Sequence, residues 1–194
     1  MTREAIIEDI KTLKPDVFVS RYIFDRCPAV FSDRHDFIEW KSKLAEKLDV
    51  DAASVTLVGS AAIGVSLSPY KDFKLFDKNS DVDVAVVSSY HFNLAWRYLR
   101  NNYHNRFKVT SRQRTSWDEH VSKFIYWGTI AADKLLPLMP FAKEWSTAST
   151  DASSNPIIAD RSVSFRIYSD YEALRSYQVT SVRSLRTSIA TRLA

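Results

Sequence analysis

Two short stretches hold the residues best suited to chemistry. Gly59-Ser60 follows the β-branched run Ser54-Val-Thr-Leu-Val58, and Ser80-Asp81-Val82-Asp83-Val84 opens a second aliphatic run that ends at Val87. Side chains alternate across a strand, so Asp81 and Asp83 are expected on one face, about 7 Å apart. Two carboxylates held that way can bind hard divalent cations through oxygen. Mg²⁺ in particular combines one or two carboxylates with waters and substrate phosphates. Gly59 lets backbone approach a phosphate closely, and Ser60 adds N–H and O–H donors at the start of a helical turn. The plainer reading is a pair of acids that blunts a sheet edge against aggregation.

Helices and strands must alternate to position these residues. Apolar positions Ile6, Ile7, Ile10 and Leu13 recur with a helical period, and Pro15 is expected to close that helix. Phe37, Ile38, Trp40, Leu44 and Leu48 predict a second helix, with Ser32 or Asp33 as its N-cap. Residues 54–58 read as a strand, 61–64 as one or two helical turns, 65–79 as a loop, and 81–87 as the clearest strand. Helices are expected over 92–103 and over 121–138 up to Pro137, with a Ser/Thr-rich loop at 146–154. Residues 161–168 alternate polar and apolar as a strand, and Ser169 or Asp170 caps a last helix to about Ser188. The pattern predicts an α/β (α+β) fold, a small mixed sheet with flanking helices. Without repeat or linker, residues 1–194 read as one domain.

Composition narrows the function. The chain has 194 residues, 45% hydrophobic and 26% charged, within the range of an ordinary globular protein. No apolar run is long enough for a membrane span, and the acids near the N-terminus break any secretory core. A single cysteine, Cys27, leaves no disulfide framework or cysteine zinc site, so a cytoplasmic setting is expected. Three glycines form no G-x-G-x-x-G or Walker loop. The net charge is +4, unevenly spread. Val84 to Trp117 contains no Asp or Glu but carries Arg97, Arg100, Arg106, Lys108, Arg112 and Arg114, interleaved with aromatics. A second acid-free run after Glu172 holds Arg175, Arg183, Arg186 and Arg192. Such stretches suit phosphate contact with base stacking, or form a solvated helix face over core aromatics. Asp118-Glu119 reads as an acid pair at a helix N-terminus, and Trp96, Trp117, Trp127 and Trp145 as core residues.

The combination of Val55-Thr-Leu-Val-Gly-Ser60 with Ser80-Asp-Val-Asp-Val-Ala-Val86 resembles the nucleotidyltransferase superfamily, the polymerase-β-like fold. The resemblance covers roughly Val55 to Arg100. It implies Asp81 and Asp83 as catalytic metal ligands for Mg²⁺ or Mn²⁺, Gly59-Ser60 as the phosphate-binding turn, and a nucleoside triphosphate as substrate. It further implies transfer of a nucleoside monophosphate to a hydroxyl of RNA, of an acidic partner protein, or of another nucleotide, the last disfavoured by the size of the chain. Small stand-alone members commonly serve toxin–antitoxin or phage-defence modules. A degenerate, non-catalytic relative that keeps the nucleotide or RNA surface is the competing expectation.

Two departures from the pattern stand out. The spacer between Ser60 and Asp81 is longer than in minimal members, so residues 66–78 would be an insertion whose lysines can face the substrate. Active members often add a third carboxylate from a neighbouring strand, yet 161–168 contains no acid. On the expected register Ser164 and Arg166 occupy the polar face, and Arg166 would either hold the triphosphate or pair with an aspartate.

Overall fold

The computed structural model describes residues 2–193, apart from the side chains of residues 133, 192 and 193. The cation expected at Arg192 therefore lies outside the described residues. β1 (Val55–Val58), β2 (Val82–Val87), β3 (Thr129–Ala131) and β4 (Val163–Tyr168) form a four-stranded mixed sheet in the order β1-β2-β4-β3. β1 runs antiparallel to β2, pairing Leu57 with Val84 and Val58 with Asp83. β2 and β4 are parallel, pairing Asp83 with Ser164 and Ala85 with Arg166. β3 closes the far edge antiparallel to β4.

Alternation then divides the sheet into two faces. Val82, Val84 and Val86 share one face with Val163, Phe165 and Ile167, all buried. Asp83 and Ala85 share the other with Ser164 and Arg166. Three helices near the start are α1 (Arg3–Thr12), α2 (Pro15–Val19) and α3 (Arg34–Leu48). Asp33 caps α3, its carboxylate accepting the His35 N–H at 2.6 Å. Pro15 does not close α1, which ends at Thr12. It opens α2 as a first-turn proline, where no donor is lost.

After β1 the chain turns directly into α4 (Gly59–Ile63), and after β2 Ser88 caps α5 (Ser89–Asn101). A 3₁₀ segment, Tyr103–Lys108, leads to α6 (Ser111–Glu119), which opens with a reciprocal capping box between Thr110 and Gln113. The single helix expected over 121–138 is not formed. A π turn (His120–Phe124) is followed by Gly128 in a left-handed conformation, then β3, α7 (Ala132–Leu135) and a 3₁₀ turn at Pro137. Pairing with β4 buries all three β3 residues, and this overrides local helical preference.

The Ser/Thr-rich segment 146–154 is likewise not a loop, because α8 (Ala142–Ser153) runs through it. Trp145, Ala148 and Ala152 form a buried stripe there. Thr147 and Thr150 return their hydroxyls to carbonyls four residues back, which removes the usual competition with the helix. Ser149 and Ser153 donate to the carbonyls of Val163 and Arg161, fastening α8 beside β4. Trp145 meets Phe165 edge-on at 5.3 Å, so α8 covers the apolar face. α9 (Tyr171–Leu193) crosses the opposite face, with Tyr177 against Tyr168 at 5.9 Å. No described helix is long and apolar enough to cross a membrane.

Candidate functional site

α9 shields the Tyr168 end of its face and leaves the Asp83 end open. There the sheet floor, the turn into α4, the 66–71 loop, the π turn and α9 enclose a cleft of about 650 Å³. That volume suits a ligand of nucleotide size. Of the five residues singled out from sequence, Gly59, Ser60, Asp83 and Arg166 all line it. Asp81 lies one residue before β2, is exposed, and is not part of the lining.

The turn that opens α4 is built around Gly59. Its φ of +63° belongs to the left-handed region, and a Cβ there would stand 2.7 Å from Asp83 Oδ2. Glycine is therefore required twice, by the turn and by the carboxylate that occupies the space. On the other side Ser164 donates its Oγ–H to Asp83 Oδ1 at 2.9 Å. The carboxylate of Asp83 is thus braced between the glycine turn and the parallel neighbour strand. Ser164 occupies the register position opposite Asp83, so the neighbouring strand offers a hydroxyl, not a carboxylate, beside it.

Arg166 lies two residues further along β4, roughly 7 Å past Ser164 and on the same face. Its partner across the ladder is the fully buried Ala85. The guanidinium rests 4.9 Å from the Tyr177 ring centroid and 5.2 Å from that of Phe124. Its Nη1 is buried and has no hydrogen-bond partner among the described residues. An unsatisfied donor on a buried cation costs free energy unless a ligand completes it, and an anion is the natural complement. Lys71 and Lys123 bring two further cations to the cleft walls. One lysine of the expected insertion thus faces the cleft, whereas Lys74 pairs with Asp77 at 3.1 Å.

Asp83 with Asp81 supplies hard oxygen donors of the kind that hold Mg²⁺ or Mn²⁺ when phosphate oxygens complete the shell. Among the described residues no group of three or more His, Cys, Asp or Glu could hold a metal ion. Of the two carboxylates only Asp83 lines the cleft, so a cation there would have to be shared with substrate.

Several other residues settle into structural roles. His120 is fully buried; its Nδ1–H donates to the Ser116 carbonyl and its Nε2 accepts from Ala131 N–H at 2.9 Å. Asp118 and Glu119 end α6 instead of opening a helix, and pair with Arg106 and Lys134, both at 3.5 Å. Trp117 and Trp145 are buried, but Trp127 is 51% exposed at the cleft. Phe124 and Tyr177, which flank Arg166, carry no motif that sequence reasoning could have used. Comparison with protein-family models, curated proteins and solved structures finds no significant match to this chain.

Proposed function

We propose that the chain is a metal-dependent nucleotidyltransferase that moves a nucleoside monophosphate from a nucleoside triphosphate to a hydroxyl of RNA or of a partner protein. The observation that carries this reading is the buried Nη1 of Arg166, without a hydrogen-bond partner among the described residues, in the same cleft as Gly59, Ser60 and the braced carboxylate of Asp83. Arg166, Lys71 and Lys123 bind and orient the triphosphate, beside the turn at Gly59 and Ser60. Asp83, with Asp81, would hold a divalent cation, which when bound would supply charge neutralisation on the phosphates. The acceptor hydroxyl loses its proton to solvent as its oxygen forms a bond to the α-phosphorus, the α–β bridging bond breaks, and pyrophosphate leaves. Asp83 is held in the cleft by the Ser164 hydroxyl.

A second reading has its own observation. Ser164 stands where a third carboxylate would activate the acceptor, which favours a non-catalytic relative that binds nucleotide without turning it over. Transfer of radiolabel from each α-labelled nucleoside triphosphate to RNA and to co-expressed proteins separates the two. Label lost in Asp83→Asn supports the enzyme. Nucleotide binding that depends on Arg166, with no transfer under Mg²⁺ or Mn²⁺, supports the binder. Failure to bind any triphosphate overturns both.

A further inference from the structure

The arginine-rich segment after the site is not used by the cleft chemistry, and its side chains are arranged in an unusual way. Arg106 lies 3.8 Å from the Tyr103 ring centroid and 4.3 Å from that of Phe107. Arg114 approaches the Phe107 ring at 5.8 Å, and Arg100 approaches Trp96 at the same distance. Phe107 is nevertheless 63% exposed and Tyr103 is also exposed, so neither ring is a core residue with arginines laid over it. The 3₁₀ segment presents both rings to solvent with Arg106 lying over them, so aromatic faces and cations stand side by side on the surface. Arg97, Arg100, Lys108 and Arg112 are exposed around them. Asp118, paired with Arg106, is the carboxylate seen against this group.

We infer that the surface built from α5, the 3₁₀ segment and the start of α6 binds single-stranded nucleic acid. Tyr103 and Phe107 stack bases, and Arg97, Arg100, Lys108 and Arg112 hold phosphates. Duplex is disfavoured because its bases keep their faces to each other, whereas a single strand offers base faces and backbone charge together. An acidic protein would use the cations and leave the exposed rings without a role. From Arg114 the helical path through α6 and the π turn reaches Phe124 at the cleft after about 15 Å. A strand on this surface is therefore within a few nucleotides of the candidate site, although its binding does not depend on the reaction proposed there.

The test is fluorescence anisotropy of the full chain with labelled oligo-U and oligo-dT of about twelve nucleotides, a length within the range of single-strand sites. Binding to either is expected, with affinity falling steeply with salt. Lys108→Gln with Arg112→Gln, both exposed, should lower the log–log slope by about 0.7 for each phosphate no longer neutralised. Phe107→Leu keeps an apolar side chain but removes the stacking face, and is expected to weaken binding by roughly five- to a hundredfold. Preference for oligo-U would assign RNA, and equal binding a strand of either sugar; both support the surface. The inference is overturned by no binding at low salt, by an unchanged affinity in folded Phe107→Leu, or by polyglutamate competing as well as oligo-U. Arg166→Gln should leave oligonucleotide binding intact, which separates this surface from the cleft.

Discussion

A Cβ on Gly59 would stand 2.7 Å from Asp83 Oδ2, so the glycine turn and the carboxylate share one space. Gly59→Ala should therefore fail on two counts. The left-handed φ costs about 1–3 kcal/mol for a non-glycine residue, and the clash pushes Asp83 off its position. Gly59→Ala with Asp83→Ala relieves the clash but not the backbone strain. A urea-unfolding cycle over the four proteins should show the double variant more stable than additivity predicts. Simple additivity would mean that Asp83 moves aside without cost.

Arg166 is retained against the interest of the empty protein. Its buried Nη1 without a hydrogen-bond partner among the described residues is a cost that a bound anion offsets. Arg166→Met keeps its packing against Phe124 and Tyr177 through a flexible, polarisable side chain. Its melting temperature without ligand should equal or exceed that of the unaltered chain. The stabilisation gained from tripolyphosphate or a nucleoside triphosphate should largely disappear. A variant that is destabilised yet binds tripolyphosphate normally would assign Arg166 to structure alone.

His91 ties stability to pH. It is buried beside Phe141 and Trp145, at 5.1 Å from each ring centroid, and its Nδ1 is 2.9 Å from Ser88 Oγ. Burial pushes the imidazole below its ordinary value of 6.5, and Asp49 opposes this only in part. The unfolded chain then takes up a proton that the folded chain resists. Stability should be full above about pH 6.5 and fall as the pH drops through that value. His91→Leu should flatten this part of the unfolding profile relative to the unaltered chain. An identical slope in the two proteins would remove His91 as the cause.

The parts of the fold that are legible in the sequence are those whose signal is local. β2 alternates Asp and Val before an aliphatic run, and Asp33 and Asp170 both sit as caps; Asp170 accepts the Ala173 N–H at 2.7 Å. β3 escapes notice because three residues cannot show a period of two, and its existence rests on pairing with β4. α8 escapes because Ser and Thr favour loops locally. Its helix depends on a Trp145, Ala148 and Ala152 stripe that makes sense only against the sheet. In the site, the shared face of Asp83 and Arg166 follows from alternation, since the apolar residues of 161–168 must face the core. That Ser164 stands opposite Asp83, with Arg166 displaced toward Phe124 and Tyr177, needs the parallel register of β2 and β4.

The same register makes Ser164 the place to ask whether a missing carboxylate limits this site. Ser164→Asp would put a second carboxyl directly across the ladder from Asp83 and remove the hydroxyl that donates to its Oδ1. Without metal the two negative charges repel, so the variant should lose more melting temperature relative to its parent at neutral pH than at pH 4 to 5, where protonation relieves them. Mg²⁺ or Mn²⁺ should recover the loss, with a larger gain in melting temperature than the unaltered chain shows. If the nucleotidyltransferase reading is right, label transfer in the variant should equal or exceed that of the parent, because a second carboxylate now flanks the acceptor oxygen. A variant stabilised no more by Mn²⁺ than its parent would show that the Asp83 edge of the cleft does not hold a cation, and the chemistry would then rest on Arg166 and the lysines alone.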